Sequence, residues 1–321
     1  MAAHPFVIVP SLTAIAVAYP QGKLIADQVL PRVSVDTESF RYLKYGQGDA
    51  FMAPDTRVGR KSAPNQIDWA STELTATVDD HALDTPVPNA DVEAYERAMA
   101  AGPGMVSGTD PLGHATVMVT ETVQNSREVR AANLVFNAAS YGANNKVTLS
   151  TTGQWSDYAN SDPLPAIEDR LDSMLVRPNI AVFGRRTFSK LRRHPKVCKA
   201  IFGNNTDAGR VALRQLADEL ELDEIFVGDG YVNIAKPGQP ASMVRCWGNH
   251  AAFLVRNKTA NTKSGVTFGY TAQYGPKVAG VILDPDIGMR GGQRVRSGES
   301  LKELITADDL GFFFQNAVAA V

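Results

Sequence analysis

Catalytic and ligand-binding chemistry is what this sequence most plainly lacks. The five histidines, His4, His81, His114, His194 and His250, are scattered. None has a Cys, a Glu or a second His at zinc-ligand spacing. There is no G-x-S-x-G nucleophile turn. Gly291-Gly292, followed by Arg294 and Arg296, lacks the rest of a phosphate loop and reads as a tight turn. Gly228-Asp229-Gly230 lacks the third glycine of a dinucleotide fingerprint and reads as a hairpin turn. These absences predict no catalytic residue, no cofactor and no metal.

Cysteine is almost missing too. Cys198 and Cys246 are too few for a disulfide framework and suit a reducing compartment. Cations near Cys198 favour its thiolate, but a small apolar residue on a helix face is the plainer reading. No apolar run reaches the length of a membrane span. Phe6 to Tyr19 is apolar, and Ala16-Val17-Ala18 has the look of a cleavage site. No Lys or Arg precedes it and Pro10 interrupts it, so no secretory leader is expected. Without secretion, the sequons at Asn204 and Asn257 carry no meaning. The net charge of −2 gives no global nucleic-acid signal.

What is present is apolar bulk and order. A hydrophobic content of 44% over 321 residues supports one or two packed domains. Residues 1–52 read as an extended arm, because Pro5, Pro10, Pro20 and Pro31 break helical runs. Such an arm needs another surface to lie on. Residues 53–92 read as a long β-hairpin, its strands within Trp69 to Pro88 and Asp79-Asp80 between them. It lacks a continuous apolar face, and a lone ribbon is marginal in water. Residues 110–141 predict a helix about 45 Å long, with Asp110 as cap, Pro111 in the first turn and Gly142 as stop. Its expected inner stripe is Leu112, Ala115, Val119, Thr122, Ser126, Val129, Asn133 and Phe136. That stripe is half polar, which suits a helix across a sheet edge or between subunits.

Residues 163–255 read as an α/β unit. Ile167, Leu171 and Leu175 share a helix face, and Asn179 to Phe183 is a buried strand. A basic helix from Arg186 to Cys198 breaks near Pro195, and a further helix spans Arg210 to Leu220. A strand follows at Glu224 to Val227, and a strand pair around Trp247 to Asn249. Residues 264–321 read as mostly β, with a short acidic helix start before the last apolar strand.

Charge has one local anomaly. Arg185, Arg186, Lys190, Arg192, Arg193, Lys196 and Lys199 stand together with no acid among them. Asp218, Glu219, Glu221, Asp223 and Glu224 follow. Solvated helix faces are the plain explanation. The functional alternative is that the two patches meet across copies of the chain, or that the basic face sees nucleic acid. The expected subunit-contact residues are therefore Arg185, Arg186, Lys190, Arg192, Arg193, Glu219, Glu221 and Trp69.

The order of parts resembles a known family. LIADQVLPRVSVDTESFRYLKYGQGDAF at 24–51 is similar to the arm of tailed-phage major capsid proteins of the HK97-like fold. Residues 55–88 resemble its E-loop. RPNIAVFGRRTFSKLRRHPKV at 177–197 and LADELELDEIFVGDGYVNIAKPG at 216–238 resemble its axial domain. VRSGESLKELITADDLGFFFQNAV at 295–318 resembles its peripheral close. Each stretch alone is a soft match, and their collinearity over nearly the whole chain carries the resemblance.

It implies an α+β fold with an N-terminal arm (1–52), an E-loop (53–92), a peripheral domain with a spine helix (93–160), an axial domain (161–256) and return strands (257–321). It implies pentamers and hexamers closing an icosahedral shell around phage dsDNA, in a virion assembled in the host cytoplasm. Portal, scaffolding and cement proteins are the implied partners, with non-specific contact to packaged DNA and no membrane. The short non-helical arm implies a separate scaffolding protein or none. Lys61 lies in the loop, but no partner Asn or carboxylate matches the family's cross-link, and it reads as a surface lysine. The alternatives are an encapsulin-type nanocompartment shell, an enzyme with a cryptic site in 161–256, and a monomeric adaptor.

Overall fold

Two five-stranded sheets carry the chain, and one long helix joins them. The structure is a computed structural model that describes residues 7–8, 24–45, 55–64, 66, 71–101, 110–203, 209–236 and 238–320.

The first sheet is built on a long antiparallel hairpin, β12 (Gly269–Asp284) with β13 (Gly292–Ile305). Gly291 closes its turn with φ of 71°, a conformation that favours glycine. β5 (Asp79–Pro88) pairs antiparallel with the far edge of β13. On the other side, β1 (Val7–Ile8) pairs antiparallel with β12, and β2 (Arg32–Val35) pairs parallel with it. No helix starts before the last strand. Residues 298–305 stay in β13, and a turn leads to Leu310, whose N–H donates to Ala307 O at 3.2 Å. The helix-forming Glu, Lys and Leu of this stretch are overridden by pairing with β12, a tertiary effect that propensity does not contain.

The strands of the ribbon also differ from expectation. β3 (Ser39–Tyr45) pairs antiparallel with β4 (Ser71–Thr77), so the arm region supplies one strand. Asp79-Asp80 does not divide a hairpin but opens β5. The apolar face absent from 69–88 comes from the other strand: Phe40 stands opposite Ala76 and packs with Val35, Val78, Tyr270 and Ala272. The arm is not wholly extended either, since α1 (Ala26–Val29) makes one turn. α2 (Asn89–Ala100) follows β5.

α3 (Pro111–Val135) is the long helix. The Asp110 carboxylate accepts the N–H groups of Leu112 and Gly113, both at 3.1 Å, as a cap should. The helix ends before Gly142, because Tyr141 Oη and Ser140 Oγ each donate at 2.7 Å, to the carbonyls of Val135 and Leu134. Its buried face is Ala115, Val119, Val123, Arg127, Ala131 and Val135, with Thr116, Thr120 and Glu128 beside it. Thr122, Ser126 and Asn133 are exposed, so the expected stripe holds only in its first two turns. Alternating steps of three and four drift away from a face that advances by four.

The second sheet has the order β6-β14-β11-β7-β8. β7 (Ile180–Gly184) and β8 (Glu224–Gly228) run parallel, and β11 (Ala251–Leu254) is antiparallel to β7. β14 (Gly311–Gln315) and β6 (Lys146–Thr148) lie outside 161–256, so the α/β unit borrows strands from both flanks. Both faces are covered, and period-two alternation divides the side chains. Ala181, Phe183, Phe253, Phe312 and Phe314 face one core with α4 (Pro163–Asp172), α5 (Arg185–Leu191), α6 (Pro195–Phe202) and α7 (Leu213–Glu219). Ile180, Val182, Ala252, Leu254 and Phe313 face a second core shared with Ala131, Ala132 and Val135 of α3 and with Ile25, Val29 and Leu30. Leu175 is 61% exposed and does not join Ile167 and Leu171, because α4 ends before it. β9 (Tyr231–Asn233) and β10 (Met243–Arg245) form a separate two-stranded ribbon, and Gly228-Asp229-Gly230 is not a hairpin turn, since β8 pairs with β7 and β9 with β10.

Candidate subunit-contact surfaces

The basic stretch starts at the carboxyl end of β7 and divides into α5 and α6 at Pro195. Arg185 Nε lies 3.5 Å from Asp229 Oδ1, which also takes Arg245 Nη1 at 3.4 Å. Arg186 is half-buried and Arg193 exposed. Lys190 places its ammonium 5.7 Å from the centre of the Tyr158 ring. Arg192 stacks 5.2 Å from the Phe188 ring and donates Nε–H to Val211 O at 3.1 Å. Burial, then repulsion from Arg210, Arg185 and Arg193, lowers the Arg192 pKa. Arg192 thus sits near the amino end of α7 through Val211 O, close enough to Arg210, Arg185 and Arg193 to feel their charge. Glu219 and Glu221 are exposed at the carboxyl end of α7. Glu221 takes φ of 54° and pairs with Arg177 Nη2 at 3.3 Å. Within one chain the basic cluster does not meet Glu219 or Glu221. Trp69 lies outside the described residues.

Apolar side chains reach solvent on the β9–β10 ribbon: Tyr231, Ile234, Met243 and Val244 are all exposed. The β3–β4 ribbon carries an exposed ion pair, Arg41 to Glu73 at 3.1 Å, and leads to residues 55–64, exposed throughout.

Among the described residues, the α/β unit contains one serine–histidine contact. Ser161 Oγ lies 3.0 Å from His194 Nε2, both buried. His194 Nδ1 accepts Lys196 N–H at 3.2 Å and so caps α6, which puts the ring proton on Nε2. Ser161 in turn donates to Asp157 O at 2.6 Å. The imidazole thus donates to the hydroxyl instead of accepting its proton. Burial, then the charge of Lys196, lowers the His194 pKa. Burial also pushes the Cys198 thiol up, in keeping with the plainer reading of a small buried residue on a helix face. A groove of about 450 Å³ lies between α1 and β8, lined by Asp27, Gln28, Pro31, Glu224, Phe226, Arg256 and Lys258. Glu224 pairs there with Arg256 at 2.5 Å and with Lys258 at 3.5 Å, while Asp27 pairs with Arg32 at 2.6 Å and with Arg127.

Sequence reasoning missed the buried charges of α3. Arg127 is 3% exposed and pairs with Asp27. Glu128 is fully buried. The available signal was the four-step row Ala115, Val119, Val123, Ala131 and Val135, which contains one arginine.

A mixed sheet covered on both faces, a spine-like helix and a long sheet with an outlying ribbon together define an HK97-like capsid fold. Solved structures bear this out. A phage-related protein from Bordetella bronchiseptica RB50 superposes with a TM-score of 0.73 at 20% identity, covering 99% of this chain and 100% of that one. The mature capsid of bacteriophage PhiM1 gives 0.51 at 11% identity, over 93% and 88%. The family model for phage major capsid protein E matches residues 136–236. The major capsid protein of Pseudomonas phage JBD67 is 52% identical over the full length of both chains. The chain belongs to the phage major capsid proteins.

Proposed function

We propose that copies of this chain close into pentamers and hexamers around shell axes through the α/β unit, residues 161–256 with β6 and β14. The long sheet and α3 (peripheral parts 93–160 and 257–321) lie between capsomers. In the E-loop region (53–92), residues 55–64 beyond the β3–β4 stem reach over neighbouring copies, while β5 and residues 25–35 of the arm (1–52) pack on their own chain. The shell encloses phage dsDNA and is assembled in the host cytoplasm, with portal and scaffolding proteins as partners and cement proteins as optional ones. Full-length identity to a phage major capsid protein carries this reading. The β9–β10 ribbon supports it, because its exposed apolar side chains are the kind of surface assembly covers.

In this reading the basic cluster Arg185, Arg186, Lys190, Arg192 and Arg193 of one copy faces Glu219 and Glu221 of the next. Such a head-to-tail contact closes rings. Light scattering with negative-stain imaging tests the assembly: shells or rings of five or six support it, and a stable 34.5 kDa monomer at high concentration overturns it. Reversing Arg192 and Arg193 to Glu is expected to weaken assembly and flatten its salt dependence. Unchanged assembly and salt response would remove the charge contact.

A further inference from the structure

Charge enters the interior of this molecule where its two sheets join. Glu128 of α3 is fully buried. Its carboxylate accepts the N–H of Ile25 at 3.0 and 3.1 Å, the N–H of Ala26 at 2.9 Å and the indole N–H of Trp247 at 2.5 Å. Two donors open α1, and the third lies between β10 and β11 in the α/β unit. Further polar bonds hold the same segment. Arg127 donates to Asp27, Arg256 Nη1 donates to Gln28 O at 2.5 Å, and Thr271 N–H donates to Pro31 O at 2.9 Å. Residues 25–31 are thus tied at once to the long helix, to the long sheet through β12, and to the α/β unit.

A buried carboxylate is tolerable only while its donors are in place. Glu128 needs the arm segment and Trp247 together, so the three parts hold one another in a single arrangement. An amide cannot replace it. One of its oxygens would become an N–H₂ facing an N–H donor.

We propose that Glu128 is a positioning residue for shell assembly. It seats residues 25–31 as a staple that sets the angle between the long sheet and the α/β unit, and through that angle the curvature of the shell. This rests on the capsid reading above. Repeated over every copy, a small error in one joint becomes a large error in closure.

The test uses Glu128→Ala and Glu128→Gln in the full chain, with formate added as a free carboxylate. Hydrogen exchange at the Ile25 and Ala26 amides is read on the unassembled chain, and particle diameter is read by electron microscopy. Both variants are expected to speed exchange at these amides about tenfold or more. Both are expected to give open or mixed-size particles. Formate, but not chloride, restores slow exchange and native diameter to Glu128→Ala, which has room for it. It does not restore Glu128→Gln, which has none.

The proposal is overturned by unchanged exchange in Glu128→Gln, by native particles from a chain whose segment is released, or by formate restoring exchange without diameter. Glu128→Gln leaves no cavity, so it carries the comparison if the Ala variant does not fold. Absence of particles from the native chain would defeat the capsid reading instead, while the exchange result stands on its own.

Discussion

His194 shows how one side chain ties acidity to stability. Its Nδ1 must be unprotonated to cap α6, and its ring has no exposed face. Its folded pKa lies below the ordinary value of 6.5. The unfolded chain therefore binds the proton first. The stability this group contributes is complete above pH 6.5 and is lost as pH falls below it toward the folded value. Chemical denaturation of the unassembled chain from pH 7.5 to 5 should show this fall. His194→Asn keeps a capping oxygen without the titration, and its profile should be flatter over the same range. An equal slope in both proteins would assign the acid response to His81 and His250, whose pKa values burial also lowers. Nothing in the sequence around Ser161 announces this contact, since its partners are 33 residues apart.

Among elements, α3 separates what is legible from what is not. Its start could be read from Asp110 and Pro111, because capping is local chemistry. Its inward face was legible only as a four-step apolar row, because Arg127 and Glu128 look like solvent residues until partners from elsewhere in the chain are known. Thr122→Asp is expected to change stability by less than about 0.5 kcal/mol, since the position is exposed. Val123→Asp, one residue on, buries an unpaired carboxylate and should cost about 3 kcal/mol or more. Thermal melts of the two variants decide the face. β7 and β14 were readable for a different reason. A short run such as Phe312-Phe313-Phe314 is buried on both sides, and continuous apolarity is the signal of such a strand. The pairing of β3 with β4 was not readable, because each strand holds only half of the apolar face.

For the whole molecule, the outlying ribbon is the part that assembly should change most. Amides of the β3–β4 ladder are expected to exchange quickly in the unassembled chain and slowly in particles, while those of β7 and β11 stay slow in both. Equal protection of the ladder before and after assembly would show that neighbours do not cover it. The order of strands in the second sheet has a consequence for synthesis. β14 lies between β6 and β11 yet is translated after both. Until the ribosome has released Gln315, β6 has no neighbour, and Phe183 and Phe253 lack the packing of Phe312 and Phe314. A nascent chain therefore cannot present a finished α/β unit to other copies, and the growing polypeptide is kept out of assembly until translation has passed this strand.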